Sequence, residues 1–574
     1  GDAAAAGLAA QEGDAAPRVV TAAAPLRVGE WSVTPLDPDA SGPERLGRTD
    51  LGFTSDGRVA RAAELRADHD DDPAFPPPCF AAAQVSEADL LATGLPITTS
   101  RFLALGGGLG SFVWVDLLRV YGVPTDAIAV VGFEAVPYAR YQRLCLQSQI
   151  PPHERLRSNS ESCPDNLWGF PGYGMREAAG LAARGRVLAA VGILRQLAGE
   201  PDKADTYTPR ADHVFASIDR EAERIGWSTM LQMGRIRAVR QTDDGRYVAA
   251  VSGRDAQGRR RRGFFVAPCL HVALGYPGLQ FLPDLRAWRE RTGDFERVVN
   301  AYEDHEAVYD QLARQGGTVL LRGRGIVASR ILQRLSEVRA AGGRVEVVHL
   351  MRSPKTAGAQ AGQASRPVEN HWEFQPFNWP EAAWGGDLVE DLMESTPEER
   401  AVLLRLWGGT TTADRRDWRG IVKDGLADGW YRIRFGDVDE IREDGRLLEL
   451  AITEPDATSI VRVSHIIDAT GLVSSVRENP VYADLIERYG LPLNPQGRLE
   501  VGPTFELEAL RNGAGRAFCA GVATLGAPYA PVDSFLGLQY AASASREVVR
   551  AEMEPTGPLR SLARWWRWAR GATP

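Results

Sequence analysis

A run of glycines between an apolar strand pattern and a helical pattern is the first stretch of this sequence that could do chemistry. Gly106, Gly108 and Ser111 occupy the three positions of a GxGxxG pattern, and Gly107 and Gly110 stand between them. The first two glycines permit a tight turn and let a pyrophosphate approach the N-terminus of the next helix, where free N–H groups and the helix dipole favour negative charge. Ser111 replaces the usual glycine or alanine but is small enough for strand and helix to pack closely.

A carboxylate follows this turn at a spacing longer than the usual figure of about 20 residues, which is consistent with a longer helix. Glu134 ends an apolar strand pattern at residues 127–134, where its side chain can accept hydrogen bonds from ribose hydroxyls. Strand, glycine turn, helix and strand form a βαβ unit, which belongs in a parallel sheet. The unit therefore predicts a dinucleotide site, and the alternative is a turn with a purely structural role.

A second unit with the same order lies at residues 316–353. Gly323, Gly325 and Ala328 match GxGxxA, and the strand that follows ends in His349 and Arg352 rather than in a carboxylate. An acidic residue there would accept the 2′-hydroxyl of NAD, whereas a cation suits the 2′-phosphate of NADP. The pattern favours NADP and leaves NAD open.

The bulk properties set these units in a large globular protein. The chain has 574 residues and a net charge of −9, which excludes a general nucleic-acid-binding protein because that function needs a clustered basic face. No apolar run reaches the roughly 18 to 20 residues that span a bilayer. The five cysteines are scattered, without CxxC or metal-ligand spacing, so we expect a cytoplasmic protein with no metal site.

The rest of the chain divides into regions that differ in composition and in hydrophobic pattern. Residues 1–95 are rich in Ala, Pro, Asp and Gly and predict an extended arm that lies over the body. Two alternating β-meanders with DG turns each lead into an apolar strand that ends in Ala-x-Gly, at residues 273–275 and 469–471. The tail at residues 553–574 places Trp and Leu on one helical stripe beside arginines, which predicts docking to a membrane surface or a partner, or packing on its own body.

With both glycine turns, both Ala-x-Gly ends and the C-terminal segment, residues 97–550 resemble the two-dinucleotide-binding flavoprotein superfamily. The resemblance implies an α/β fold in which a Rossmann-like FAD domain (96–310 and 456–552) carries an inserted Rossmann-like NAD(P) domain (311–455). It also implies cofactor contacts at Thr470, Gly471 and Gly521, and a helix near Asp533 that points its N-terminus at the flavin. The family usually has Asp after the glycine at 521, but Val522 stands here, and Asp533 is the substitute that we consider.

The resemblance also implies a reaction, the transfer of a hydride from NAD(P)H to FAD. Three functions then remain open: a monooxygenase that hydroxylates a small organic substrate, a reductase that passes electrons to a protein or quinone, and a non-catalytic flavoprotein that assembles with partners. The absence of CxxC argues against a disulfide relay. Similarity of residues 370–380 to loops of N-hydroxylating monooxygenases favours the first. His153 and Cys163 are the local candidates for a proton shuttle and a reactive thiol, no catalytic residue is assigned, and a homo-oligomer is left open.

Overall fold

The structure is a computed structural model that describes residues 74–156, 158–165, 172–199, 207–254, 259–361, 364–375, 388–473 and 475–550, together with four short strands before them. Those four strands form two antiparallel pairs: β1 (Arg27–Val28), β2 (Trp31–Ser32), β3 (Leu51–Phe53) and β4 (Val59–Arg61). The predicted docking tail at 553–574 lies outside the described residues, as does most of the predicted arm.

The described end of the predicted arm is part of the body. It contains a 3₁₀ turn (Pro78–Ala81), β5 (Gln84–Val85) and helix α1 (Glu87–Ala92), and β6 (Ile97–Thr99) follows. The rings of Phe75 and Phe80 stack on Phe264 at centroid distances of 6.4 and 5.5 Å. Residues 74–95 therefore cover the first meander and bury apolar side chains against it.

The first βαβ unit has the predicted order. Strand β7 (Phe102–Leu105) leads through the glycine turn into α2 (Leu109–Val120), and β8 (Ile128–Gly132) follows a short 3₁₀ turn (Thr125–Ala127). Both strands are buried throughout, as expected where helices cover both faces of a parallel sheet. The helices that follow are α3 (Ala139–Gln147), α4 (Gly172–Ala183), α5 (Val187–Ala198), α6 (Ala211–Ile225) and α7 (Trp227–Met230).

The first meander comes next and returns the chain to the first sheet. The chain runs from β9 (Leu231–Met233) through the meander strands, β10 (Arg235–Thr242), β11 (Tyr247–Arg254) and β12 (Arg260–Ala267), to β13 (Cys269–Val272) and β14 (Gly278–Leu279). The meander sheet has the order β5-β10-β11-β12-β6, and its core strands are antiparallel.

The second unit repeats the first. It runs through α8 (Pro283–Thr292), β15 (Val298–Asn300), α9 (Glu306–Gln315), β16 (Gly317–Arg322), α10 (Ile326–Ala340) and β17 (Val345–Met351). A region of short elements follows: β18 (Gln360–Ala361), β19 (Ala364–Ser365), β20 (Val368–Glu369), β21 (Trp372–Gln375), α11 (Leu388–Glu394), α12 (Pro397–Trp407), β22 (Thr412–Ala413) and α13 (Arg416–Ala427).

The second meander closes this unit. The chain runs from β23 (Tyr431–Phe435) through the three antiparallel meander strands, β24 (Asp437–Asp444), β25 (Leu447–Thr453) and β26 (Thr458–Val463), to β27 (His465–Asp468) and β28 (Leu472–Val473). The second sheet has the order β15-β27-β16-β17-β23, with every pair parallel. It therefore takes strands from 298 to 468, on both sides of the bounds 311–455 that the sequence suggested.

The last segment completes the first sheet. It contains a 3₁₀ turn (Val476–Glu478), α14 (Pro480–Tyr489), a 3₁₀ turn (Glu508–Leu510), β29 (Arg516–Cys519), a 3₁₀ turn (Gly521–Thr524) and α15 (Phe535–Val549). The first sheet has the order β29-β13-β7-β8-β9, all parallel. Helix α15 packs against α2, where the Trp114 indole N–H donates to the Ser545 hydroxyl at 3.2 Å.

The chain passes between the two sheets at one place. After β13 it enters the second unit through β14, and after β27 it returns through β28; these two strands pair with each other in an antiparallel ribbon. Each sheet has its own buried cluster of apolar side chains, one from 102–272 and 476–549 and the other from 279–472. The molecule thus has a first domain interrupted by a second.

Candidate dinucleotide-binding sites

The first glycine turn is held against the end of a neighbouring strand. Gly106 has a φ of +107°, and a Cβ added to it would lie 2.2 Å from the carbonyl oxygen of Ala273, just after β13. A Cβ at Gly110 would lie 2.8 Å from the Ala273 side chain, and one at Gly107 would lie 3.0 Å from Gly132 Cα. Only glycine satisfies the position of Gly106. The Ala-x-Gly end at 273–275 is therefore the wall on which the first turn rests.

The N-terminus of α2 faces open space. Gly108 is its N-cap residue with an extended backbone. Apart from its chain neighbours and the helix's own backbone, no atom of the described residues lies within 4 Å of a Cβ built there. Within the described residues no side chain caps this helix and its first turn carries no acidic residue. Ser111 is fully buried, and its hydroxyl has no hydrogen-bond partner among those residues. Free N–H groups, the helix dipole and open space together fit a phosphate group.

The Glu134 carboxylate, near this turn, is paired with an arginine side chain. The carboxylate follows β8, and its Oε1 accepts a hydrogen bond from Arg143 Nη2 on α3 at 3.0 Å. The two side chains are 16% and 11% exposed. A ribose that used this carboxylate would share it with Arg143.

The second turn repeats the geometry of the first. Gly323 has a φ of +104°, and a Cβ there would lie 2.3 Å from the carbonyl oxygen of Ala469. Gly325 is the N-cap residue of α10, with open space around a Cβ and, within the described residues, no side-chain cap. Ala328 is fully buried on α10. The two turns thus use the same construction on two separate sheets.

The Ala-x-Gly end at 469–471 lies behind the second turn rather than in the first sheet. The Thr470 hydroxyl and backbone N–H both donate to Asp468 Oδ1, at 2.5 and 2.9 Å, and the N–H of Leu282 donates to Oδ2 at 2.8 Å. Gly471 accepts at its carbonyl from the Gln280 N–H at 3.2 Å. Burial raises the pKa of Asp468. Thr470 and Gly471 therefore stabilise the second turn. The sequence placed them in the first domain, but the strand that precedes them, β27, pairs with β16 of the second sheet.

The histidine at the end of β17 does not supply a cation. His349 is fully buried; its Nδ1 contacts the Tyr431 hydroxyl at 2.8 Å and its Nε2 contacts the Gly323 carbonyl. Burial lowers the pKa of His349 to about 4, so the ring is neutral at physiological pH. His349 instead holds the second turn in place.

Two arginines lie at the position where the sequence indicates a 2′-phosphate. Arg352 follows β17, is exposed and has no partner among the described residues. Arg324 stands within the turn itself, and its Nη1 donates to the carbonyl of Ser353 at 2.9 Å. The hydrogen bond places the Arg324 guanidinium beside the backbone of the residue that follows Arg352. Arg324 was not identified from the sequence, although its position between two turn glycines could have indicated a residue close to the nucleotide.

At the other end of the first site, Asp533 is buried before α15. The Tyr276 hydroxyl donates to Asp533 Oδ2 at 3.0 Å, and burial raises the pKa of this carboxyl, with Arg498 nearby opposing the rise. Gly521 has a φ of +80° and follows β29, and Val522 is buried. Tyr276 and Arg498 gave no sequence signal because they lie about 257 and 35 positions from Asp533.

The two local candidates from the sequence lie elsewhere. The Cys163 thiol donates to Asp165 Oδ1 at 2.8 Å, and burial first, then the Asp165 charge, raises the pKa of Cys163 to about 12. The thiol therefore stays protonated and is a poor nucleophile. His153 lines a cavity between α4 and α6 and is part of neither glycine turn.

Comparison with solved structures shows which fold the chain has, whereas comparison with protein families and curated proteins finds no match. Among solved structures, it is similar to the ornithine hydroxylase of Pseudomonas aeruginosa (TM-score 0.56, 13% identity, 79% of this chain and 100% of that one). An ornithine N-hydroxylase of Kutzneria sp. 744 gives a TM-score of 0.55, at 14% identity over 79% of this chain and 100% of that one. A cadaverine monooxygenase of Erwinia amylovora gives 0.56, at 13% identity over 80% and 96%.

Within the described residues, every helix is too short or too polar to cross a membrane. The order of the two parallel sheets, the matching glycine turns and the similarity over nearly the whole length of these structures lead to one conclusion. The chain has the fold of the two-dinucleotide-binding flavoproteins, as its sequence predicted.

Proposed function

We propose that this protein is an FAD- and NADPH-dependent monooxygenase that hydroxylates the amino group of a small molecule. The observation that carries the proposal is the pair of open helix N-termini, at Gly108 and Gly325, each built on its own parallel sheet. One such site would hold a resident dinucleotide and the other a visiting one. This arrangement suits an enzyme that takes electrons from one nucleotide and uses them at another.

The first site has the groups that FAD would need. Residues Gly106 to Gly110 surround the N-terminus of α2 for the pyrophosphate, and Glu134 lies where the adenosine ribose would be. Asp533 lies just before α15, the helix that packs against α2. When bound, FAD would supply the redox chemistry. The protein would supply a pyrophosphate site, a buried surrounding and the field of the α15 N-terminus.

The second site has the groups that NADPH would need. Gly323 and Gly325 leave the N-terminus of α10 open for the pyrophosphate, and Ala328 lets α10 pack closely on β16. Arg352 and Arg324 provide positive charge where a 2′-phosphate would lie. We infer a preference for NADPH over NADH from these two arginines.

A small primary amine is the substrate class that the similar structures favour. The similar structures are two ornithine hydroxylases, a cadaverine monooxygenase and an L-lysine 6-monooxygenase of Pseudomonas syringae (TM-score 0.51), and the Kutzneria structure carries reduced FAD, NADP⁺ and L-ornithine. At 13 to 15% identity these names support the class of substrate and not the individual molecule.

The decisive experiment uses the purified protein in two steps. First, the absorption spectrum is recorded and the protein is titrated anaerobically with NADPH and then NADH; a yellow protein bleached by NADPH supports both nucleotide sites. Second, aerobic NADPH oxidation is measured with ornithine, lysine and cadaverine, and the hydroxylamine product is quantified. NADPH oxidation without any hydroxylated amine would favour the alternative of a reductase, and a yellow protein that NADPH fails to bleach would favour a non-catalytic flavoprotein. A colourless protein that binds no FAD would overturn the proposal.

A further inference from the structure

A cavity of about 670 Å³ lies apart from both glycine turns, between the α4–α5 hairpin and α6. Its ionisable lining side chains are mostly basic: His153, Arg155, Arg184, Arg186, Arg210 and His213 stand against one carboxylate, Glu177. None of these residues takes part in either turn. The cavity therefore needs an explanation of its own.

Two of the four arginines are already balanced. Arg155 donates to both oxygens of Glu177, at 3.2 and 2.7 Å, and the Tyr207 hydroxyl donates to the same carboxylate at 2.7 Å. Arg210 makes two hydrogen bonds to Asp212, at 3.1 and 2.6 Å. These pairs hold the cavity wall in shape and leave little net charge on it.

The other two arginines are not balanced. Arg184 and Arg186 flank Gly185, the tight turn between α4 and α5, and both side chains are exposed. Neither has an acidic partner within the part of the chain that the structure describes. Among the described residues, the cavity mouth thus carries two positive charges that no carboxylate pairs. The backbone of their turn is fixed by hydrogen bonds from both arginine N–H groups to the carbonyl of Leu181, at 3.2 and 2.9 Å. Such a mouth attracts anions.

The wall beside these charges is apolar. Leu181 on α4 and Ala189 and Ile193 on α5 line the cavity, and Ile193 is 8% exposed. His213, half-buried on α6, faces Glu177 with its Nδ1 3.9 Å from Oε2. A molecule with one anionic end and a short hydrocarbon stem would satisfy both the mouth and the wall, because each part would meet groups of its own kind.

We propose that this cavity binds a small dianionic molecule with an apolar stem, held at its charged end by Arg184 and Arg186. A phosphate monoester and an alkylmalonate, whose two carboxylates share one carbon, both have this chemistry. The site is separate from the FAD and NADPH sites, so the inference stands independently of the proposed function.

The test is isothermal titration of the full chain, with FAD and NADP⁺ present in excess so that both glycine turns are filled. Butyl phosphate and butylmalonate are the two probes, and n-butanol is the uncharged control. We expect one site per chain for at least one probe, and a weaker affinity at higher salt because exposed charges are screened. A preference for butyl phosphate assigns a phosphate monoester, and a preference for butylmalonate assigns a dicarboxylate with both carboxylates at one end.

Variants locate the binding. Arg184→Gln/Arg186→Gln should weaken binding at least roughly tenfold, the loss expected for charge-assisted hydrogen bonds. The matched control is Arg195→Gln/Arg314→Gln, which removes the same charge from exposed positions that do not line the cavity. Binding of neither probe, equal binding of n-butanol, or equal affinity in the two double variants would each overturn the proposal. Heat of binding does not depend on turnover, so failure here leaves the redox proposal untouched, and the reverse holds too.

Discussion

At the scale of single residues, the glycines of the two turns are required for two different reasons. Gly106 and Gly323 adopt a positive φ and touch a strand carbonyl, so any side chain would collide with the backbone. Gly108 and Gly325 have ordinary backbone angles and open space beside them. The first pair is needed by the fold, and the second pair is needed by whatever binds in front of the helix.

This difference predicts opposite results for two alanine variants. Gly106→Ala should destabilise the protein by about 1–3 kcal/mol, because the new Cβ would force β13 and the turn apart. Gly108→Ala should leave the unfolding temperature nearly unchanged but weaken FAD retention, because the methyl group would occupy the space of the pyrophosphate. Thermal unfolding and flavin content measure the two effects. Equal unfolding temperatures for both variants would contradict this account of the turn.

The arginine after β17 gives a second prediction at this scale. Arg352→Gln should raise the KM for NADPH by roughly ten- to a hundredfold, the loss of one charge-assisted contact, and leave the KM for NADH nearly unchanged. Steady-state kinetics with both nucleotides measure it. The control is Arg314→Gln, an exposed arginine at the end of α9. A similar rise for both nucleotides would mean that Arg352 does not select the 2′-phosphate.

At the scale of secondary-structure elements, most of the architecture follows from the sequence. The apolar strands, glycine turns and helical periodicity of both βαβ units predicted the α/β fold correctly, because parallel strands covered on both faces are uniformly apolar. The pairing of strands was harder to predict, because nothing in the sequence of β27 indicates that it pairs with β16 rather than with a strand of the first sheet. Likewise, Phe75 and Phe80 stack on Phe264, almost 190 positions away, and composition alone made their segment look like an arm.

His349 shows why the charge of a side chain at the end of β17 could not be predicted from the sequence. The sequence placed it correctly at the end of β17, but its charge depends on burial against β16 and β23, where it contacts the Gly323 carbonyl and the Tyr431 hydroxyl. Only the folded arrangement shows that the ring is a neutral connection among three strands.

This role predicts a pH effect on stability. Since burial lowers the folded pKa of His349 to about 4, below the unfolded value of about 6.5, its contribution is fully present above pH 6.5 and is lost as the pH falls towards 4. His349→Gln should therefore be less stable than the parent protein at pH 7.5. The difference should shrink by up to about 1.4 kcal/mol per pH unit below pH 6.5. Unfolding followed at several pH values measures it, and a difference independent of pH would show that His349 does not titrate as stated.

At the scale of the whole molecule, charged groups connect the two domains. Glu154 of the first domain accepts from Arg330 on α10 at 2.7 Å and from Arg415, just before α13, at 2.8 Å. Although burial opposes it, these two guanidinium groups lower the pKa of Glu154. Arg330 also donates to the carbonyl of Gln149. The contact fixes the helix of the second glycine turn against the first domain.

Removing this charge should weaken the contact between the domains and leave each domain folded. Glu154→Gln leaves Arg330, 6% exposed, without a carboxylate, at a cost of about 3 kcal/mol. We expect a lower unfolding temperature and slower reduction of the flavin by NADPH at unchanged FAD content, measured by calorimetry and rapid mixing. Glu306→Gln is the control, because its pair with Arg334 is largely exposed and worth little. An unchanged reduction rate would show that the contact does not orient the domains for electron transfer.

In the two-stranded ribbon formed by Gly278–Leu279 and Leu472–Val473, the segment that enters the second domain lies beside the segment that leaves it. A module with adjacent ends can be exchanged, shortened or enlarged without disturbing the host that carries it. This ribbon is thus the natural grafting point of the molecule: a different module joined there would leave the first domain, with its own glycine turn, intact.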